Sequence, residues 1–196
     1  MMTPNGLILA GGKSSRMGRD KSLLVFHDTP QRLHLFNLLK PLCSEVYLSC
    51  KRDENIPGQL NPLTDRFELD SPLNGILSAF KYQPDSAWLT VAVDMPFVDT
   101  PILKTLIENR NAGKLATCYY DSDGSRPEPL LTVWEPYAWP ALEDFYRRGG
   151  VSPRQFLMEN PVHLLTVPNR IALVNVNTEK DANDARNLQA QKGKRP

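Results

Sequence analysis

The chain has 196 residues, 41% of them hydrophobic, which is enough to bury one sizeable core. Its net charge is only +1, with 23% charged residues. Proteins that bind nucleic acid usually carry a strongly basic surface, so this balance argues against a nucleic-acid partner and requires any anion site to be local. No apolar run approaches membrane-spanning length, and residues 1–5 lack the pattern of a secretory signal, so we expect no membrane association.

Cysteine and histidine usage points to an intracellular protein without a structural metal. Cys43, Cys50 and Cys118 are odd in number and form no CxxC pair. They lie among apolar residues, so we interpret them as reduced core thiols of a cytoplasmic protein. The histidines are scattered and show no metal-ligand spacing. We predict a single domain over residues 1–190, followed by a flexible basic tail at 191–196.

The first predicted element is an apolar strand at residues 6–10, which leads into a basic, glycine-rich loop. From Leu9 to Leu24 the sequence is LAGGKSSRMGRDKSLL, and its cations are Lys13, Arg16, Arg19 and Lys21. Glycines let the chain turn and bring backbone N–H groups close to a ligand, while the cations add positive charge. The loop therefore predicts a polyphosphate ligand; the alternative is a tight basic turn without one.

This loop differs from the two commonest phosphate-binding loops. Gly12, Lys13 and Ser14 supply the Gly-Lys-Ser of a P-loop but lack the earlier glycine at the required offset. The dinucleotide fingerprint G-x-G-x-x-G is also absent. The sequence therefore predicts another kind of nucleotide loop.

Downstream of the loop, apolar segments alternate with helical patterns. The predicted elements are an extended segment at 23–26, a helix starting at Thr29-Pro30 and ending at Pro41, strands at 45–50 and within 57–64, a helix after Ser71-Pro72, a strand at 87–93 and a helix after Thr100-Pro101. Strands that alternate with helices predict a mostly parallel sheet covered on both faces, in a Rossmann-like three-layer α/β/α sandwich.

The second half of the chain has a different pattern. It predicts strands at 115–120 and 130–134, helices at 138–148 and 153–159, strands at 163–167 and 172–176, and a last helix at 178–189. Thr178 and Asp181 have the spacing of a capping box for that helix. The hairpin-like pair predicts a mixed edge of the sheet.

Several polar residues follow predicted strands, where such sheets bind their ligands. Asp94 comes directly after the strand at 87–93. A carboxylate held there suits Mg²⁺, which prefers one or two carboxylates together with phosphate oxygens and water. The alternative is a turn residue that caps the next helix. Ser49 and Asp65 are predicted at the same edge, although Asp65 also suits an ordinary turn.

The pattern LAGG-K-x-x-R-M-G-x-DK resembles the signature of molybdenum cofactor guanylyltransferases, which are nucleotidyltransferases with a Rossmann-like sheet. Residues 126–130 (RPEPL) and 175–178 (NVNT) resemble further segments of the family. The chain departs from it in two places. Only Arg19 separates Met-Gly from Asp-Lys, where many members have two residues, and residues 71–75 are SPLNG instead of GPLxG.

The resemblance implies transfer of GMP from Mg-GTP to the terminal phosphate of molybdopterin, with release of pyrophosphate. Arg16 and Lys21 are then the expected catalytic cations, and Asp94 is the expected ligand of Mg²⁺. Lys13 and Arg19 are equally consistent with solvated loop charges. The residues expected to contact nucleotide or cofactor are Leu9, Ala10, Gly11, Gly12, Lys21, Ser49, Asp65, Asp94, Asn175 and Asn177.

Some of these assignments stay open at the level of sequence. Asp65 suits the guanine edge or the ribose. Asn175 and Asn177 suit the pterin or a phosphate, and both also suit the cap of the last helix. The expected partners are GTP and molybdopterin, and also molybdoenzymes or cofactor chaperones. The alternatives are a nucleotidyltransferase that uses CTP with a pterin or a sugar phosphate, and a non-catalytic carrier of nucleotide or cofactor.

Overall fold

The computed structural model describes residues 2–10, 20–51 and 56–192. The strands are β1 Asn5–Leu9, β2 Val25–His27, β3 Thr29–Pro30, β4 Val46–Cys50, β5 Pro62–Thr64, β6 Trp88–Ala92, β7 Ala116–Tyr120, β8 Pro127–Trp134 and β9 Val162–Leu165. The α-helices are α1 Gln31–Leu39, α2 Leu73–Tyr82, α3 Thr100–Glu108, α4 Ala138–Arg147, α5 Pro153–Glu159 and α6 Glu179–Lys192. Short 3₁₀ helices occupy Lys21–Leu23, Gly58–Leu60 and Arg170–Leu173.

The main sheet has the strand order β5-β4-β1-β6-β8-β7-β9. β8 pairs antiparallel with both β6 and β7, and the other neighbouring strands pair parallel. The predicted mostly parallel α/β fold is therefore confirmed. The predicted hairpin-like pair is the antiparallel pair β7–β8, and it makes this side of the sheet mixed as predicted. The reversed strand β8 itself lies inside the sheet, and β9 forms the edge.

Helices cover both faces of the sheet. A Cβ on Gly6 would lie 3.3 Å from Leu39 of α1, whereas a Cβ on Gly75 of α2 would lie 2.9 Å from Leu9. Residues 6 and 9 point to opposite faces of β1, because side chains alternate along a strand. The two helices therefore pack on opposite sides of β1, which gives the predicted three layers.

Two local predictions are wrong. Residues 172–176 do not form a strand, because Asn169 caps the 3₁₀ helix Arg170–Leu173 by accepting the Ile171 N–H. Thr29 does not cap α1: it lies in β3, which pairs with β2, and α1 has no side-chain cap hydrogen bond.

The last helix is confirmed together with its capping box. Asp181 N–H donates to Thr178 Oγ1 over 3.1 Å, and Asp181 Oδ2 accepts the Thr178 N–H over 2.9 Å. α6 continues to Lys192, past the predicted start of the tail at 191, and residues 193–196 lie outside the described residues. None of the helices in the described ranges has the length and apolar character that a bilayer crossing requires.

Gly75→Ala should lower the free energy of unfolding, because the new Cβ would lie 2.5 Å from Ser49 Oγ and 2.9 Å from Leu9 Cδ2. Overpacking of this kind costs about 1–3 kcal/mol, and the higher helix propensity of alanine offsets only about 1 kcal/mol. Gly58→Ala is the matched control, since a Cβ there meets nothing within 4 Å. Urea denaturation measures both, and equal midpoints for the two variants would contradict the close approach.

Candidate active site

The carboxyl ends of neighbouring parallel strands gather the first group of predicted residues. Leu9 at the end of β1 is in register with Ser49 of β4 and with Ala92 of β6. Ser49 Oγ donates to Asp65 Oδ1 over 2.7 Å, and the Asp65 N–H donates to Cys50 O over 2.8 Å. The structure therefore brings Leu9, Ser49 and Asp65 together at one end of the sheet.

Asp94 lies just beyond the end of β6, at the same edge. Its Oδ1 is buried and has no hydrogen-bond partner among the described residues. Burial raises the pKa of this carboxyl, and the positive charge of Lys21 opposes that shift. Asp99, not Asp94, caps α3 by accepting the Ile102 N–H over 3.1 Å. The alternative in which Asp94 caps that helix is therefore wrong.

Lys21 begins a short, capped 3₁₀ helix, and its positive charge acts on the Asp94 carboxylate. Asp20 Oδ1 accepts the Ser22 N–H over 2.8 Å and so caps the 3₁₀ helix that begins at Lys21. The Lys21 ammonium donates to Val176 O over 3.1 Å and to Asn177 Oδ1 over 3.0 Å. Residues more than 150 positions apart in the chain thus meet at one ammonium group.

The two predicted asparagines occupy different environments on the segment before α6. Asn177 uses its side-chain oxygen for Lys21, while its backbone N–H donates to Asp181 Oδ2 over 3.0 Å. Its side chain therefore does not cap the last helix. Asn175 Oδ1 is buried and has no hydrogen-bond partner among the described residues. Between them, the Val176 N–H donates to the Asp94 backbone carbonyl over 2.7 Å.

A buried carboxylate that the sequence analysis did not single out lies beside Asp94. Val91 of β6 pairs with Leu131 of β8, and continuing this antiparallel register places Glu128 opposite Asp94. Glu128 is 2% exposed, and burial raises its pKa. The Leu130 N–H and the Arg154 charge oppose that shift, while the Asp94 charge adds to it.

Arg154 links this carboxylate to a second one. Its Nη1 lies 2.6 Å from Asp121 Oδ2, and its Nη2 lies 3.6 Å from Glu128 Oε2. Glu128 lies inside the RPEPL segment, which was the available sequence signal for it. Arg154 and Asp121 belong to no recognisable motif: the packing of α5 against β8 brings Arg154 here, and Asp121 lies in the turn between β7 and β8.

Part of the predicted site falls on residues whose placement is not described. These are Gly11, Gly12, Lys13, Arg16 and Arg19. Their assigned contacts, including the catalytic role of Arg16, stay predictions. Ala10, the last described residue before them, is partly buried against the main core.

The residues at this edge suit a hard divalent cation. Within the described part of the chain, Asp94 Oδ1 and Asn175 Oδ1 are both buried without a hydrogen-bond partner, on segments joined by the Val176–Asp94 backbone hydrogen bond. Buried polar atoms are normally satisfied, so each such atom calls for an explanation. Carboxylate and amide oxygens are ligands that Mg²⁺ accepts, together with phosphate oxygens and water. Within the described ranges, His, Cys, Asp and Glu form no group of three or more that suits a metal.

Comparisons with known proteins agree on one family. The model described as the MobA-like NTP transferase domain matches residues 6–164. The chain is 31% identical over 182 residues to the molybdenum cofactor guanylyltransferase of Pseudomonas fluorescens (strain Pf0-1), with 88% of each chain covered. It is also 31% identical over 183 residues to the molybdenum cofactor biosynthesis bifunctional protein of Synechocystis sp., covering 90% of this chain and 52% of that one. The chain thus spans about half the length of that relative.

A solved structure shares the fold. The molybdopterin-guanine dinucleotide biosynthesis protein A from Archaeoglobus fulgidus superposes with a TM-score of 0.80 at 21% identity. The match covers 95% of this chain and 99% of that one. At this level of identity the likeness establishes the fold of the chain.

Asp94→Asn should stabilise the protein increasingly as pH rises. A carboxyl whose pKa is raised by folding contributes stability that is fully present below its unfolded pKa, near 4, and is lost as pH rises through the folded value. Asparagine does not titrate, so the free-energy difference from wild type should grow with pH. The growth amounts to about 1.4 kcal/mol for each pH unit that separates the folded pKa from the unfolded one.

Urea denaturation in EDTA at several pH values measures this difference. EDTA removes divalent ions that would stabilise the wild-type carboxylate. Asp123→Asn, at an exposed loop position, is the matched control. A constant difference between Asp94→Asn and wild type across pH would contradict the burial of a charged carboxylate.

Proposed function

The chain belongs to the family of MobA-like NTP transferases, and we therefore propose that it transfers GMP from GTP to the terminal phosphate of molybdopterin. The observation that carries the proposal is the arrangement of Lys21 and Asp94, an ammonium and a buried carboxylate held by one segment at the ligand-binding edge of the sheet. The names of the relatives support guanine as the base and molybdopterin chemistry as the context.

In this reaction a phosphate oxygen of the acceptor attacks the α-phosphorus of GTP. A new P–O bond forms, the bond between the α-phosphorus and the bridging oxygen breaks, and pyrophosphate leaves with that electron pair. The acceptor phosphate is already anionic near neutral pH, so little base catalysis is needed. Alignment of the two phosphates and stabilisation of the developing charge then dominate.

Lys21 supplies a fixed positive charge for this chemistry. Its ammonium is held by two acceptors before any ligand binds, so little reorganisation is needed when charge builds on the phosphate oxygens. Preorganised charge in a partly dehydrated site is worth more than the same charge in water. We assign Lys21 to the phosphates on this basis.

Asp94 and Asn175 are the residues that would hold Mg²⁺ in this protein. Both present a buried oxygen that has no hydrogen-bond partner among the residues the structure describes, and a hard cation satisfies such atoms. When bound, the ion supplies positive charge against the phosphate oxygens of the nucleotide. Glu128 lies close to Asp94 and is paired with Arg154.

Base recognition is assigned to the other end of the site. Ser49 fixes one carboxylate oxygen of Asp65 at the ends of β4 and β5. A carboxylate is the complement of the guanine N1 and N2 donors, because it only accepts hydrogen bonds. We infer that the dinucleotide product passes to molybdoenzymes or cofactor chaperones in the cytoplasm.

The proposal is tested by pyrophosphate release with each of the four NTPs, with and without molybdopterin. We expect release with GTP that depends on molybdopterin, together with formation of the guanine dinucleotide. Tight GTP binding without release would favour the carrier alternative. Preferential use of CTP would favour a cytidylyltransferase. Both outcomes would contradict the proposal.

Asp65→Asn should lower kcat/KM for GTP by at least about tenfold, because the amide cannot accept from both guanine donors and leaves one of them unpaired. The same variant should improve the use of XTP relative to GTP, since the amide N–H₂ donates to the xanthine O2. Asp85→Asn, on an exposed turn, is the control and should leave the GTP-to-XTP ratio unchanged. An unchanged ratio in Asp65→Asn would contradict the assignment of Asp65 to the base.

A further inference from the structure

The segment at residues 175–177, named here the C-terminal strap, joins two parts of the site that are distant in sequence. Val176 donates its N–H to the Asp94 carbonyl over 2.7 Å and accepts from the Lys21 ammonium over 3.1 Å. Asn177 accepts from the same ammonium over 3.0 Å. The strap lies beyond residue 164, where the family model stops matching, so that match assigns it no role.

A separate hydrophobic cluster seats the strap. Val176 is 1% exposed and shares the cluster with residues from the segments after Lys21 and after Asp94, and from α6. Its other members are Leu24, Phe26, Phe97, Ala182 and Ala185. Each segment that carries a polar group of the site therefore also contributes an apolar anchor close to it. This packing fixes the backbone of the strap against both Lys21 and Asp94.

The polar side of the strap is held independently. Asp181 Oδ2 accepts the backbone N–H groups of Asn177 and Thr178. The Asn177 side chain is thereby left to face Lys21, on a backbone secured by the first turn of α6. A lysine side chain has many rotamers, and binding a ligand through a loose ammonium costs the entropy of fixing them.

We propose that Asn177 is a positioning residue that acts through Lys21, and that the C-terminal strap preorganises the phosphate site. The ammonium has three N–H donors, and the strap takes two of them. Within the described residues this leaves one donor for a phosphate oxygen, with its direction set by the other two. The inference rests on the proposed function only in taking Lys21 to contact the phosphates. It replaces the sequence-based expectation that Asn177 touches nucleotide or pterin.

The test compares single and double variants in GTP binding and turnover. Asn177→Ala should weaken GTP binding at least about fivefold by calorimetry, while KM for molybdopterin stays within about twofold of wild type. Lys21→Ala should weaken GTP binding by more. In the Lys21→Ala background, adding Asn177→Ala should cost less than about twofold, because the group through which it acts is gone.

Two matched variants separate positioning from folding. Asn183→Ala changes an exposed asparagine of α6 that bonds Arg186 and should bind GTP like wild type. Asp181→Asn weakens the support of the strap backbone without touching the ammonium, and should lower the thermal midpoint more than Asn177→Ala does. Circular dichroism confirms that the compared variants are folded.

Three results would overturn the inference. One is wild-type GTP binding in the folded Asn177→Ala variant. Another is a double variant whose loss of GTP binding equals the product of the losses in Asn177→Ala and Lys21→Ala. The third is a rise confined to KM for molybdopterin, which would place Asn177 on the acceptor. Because the binding readout needs GTP alone, it stays decisive even if the protein forms no dinucleotide. In that case the proposed function is wrong, and the GTP-binding measurements alone decide whether Asn177 acts through Lys21.

Discussion

The Asp94 carboxylate, which follows β6 with one oxygen buried, is the constraint on which this site depends. An isolated buried charge is costly, and Asp94 has only partial compensation from Lys21. The site therefore has a standing preference for additional positive charge beside Asp94 Oδ1. In the proposed function, a metal-bound nucleotide would bring a divalent ion to oxygens that have no hydrogen-bond partner among the described residues. Its binding would then offset the cost of burying the Asp94 charge.

The sheet explains why the polar groups converge. Parallel strands end at the same edge of the sheet, so Leu9, Ser49 and Ala92 are in register with one another. The residues that follow them in the chain lie beyond that edge. The reversed strand β8 contributes in the opposite sense, because its amino end meets the carboxyl ends of its neighbours. Glu128 reaches the site for that reason, and Arg154 lies between Glu128 and Asp121, in charge contact with both. One reversed strand thus adds a buried acidic group that a wholly parallel sheet would not place there.

The site is divided between two hydrophobic clusters. The large core supports β1, β4 and β6, and with them the hydrogen-bonded pair of Ser49 and Asp65 and the strand that precedes Asp94. The small cluster around Val176 supports the turn that carries Lys21 and the start of α6. Val176 joins the two clusters: its N–H donates to the Asp94 carbonyl, and its own carbonyl accepts from the Lys21 ammonium. These hydrogen bonds link the first part of the chain to the last. Holding the ammonium through such distant contacts costs chain entropy, and the buried apolar residues beside each polar group help to offset it.

The sequence by itself determined the alternation of strands and helices, the family, and the edge at which Asp94 and Asp65 lie. These follow from local patterns, since apolar periodicity and turn residues act over a few positions. The tertiary structure decided which distant groups meet. Residues 172–176 are apolar enough for a strand, yet the Val176 N–H bonds to the Asp94 carbonyl and not to a sheet neighbour. Asn177 suited a cap or a ligand equally well, and only packing turned its side chain to Lys21. The sequence does not predict the contact between Glu128 and Arg154, because a contact between residues far apart in sequence produces no periodic pattern along the chain.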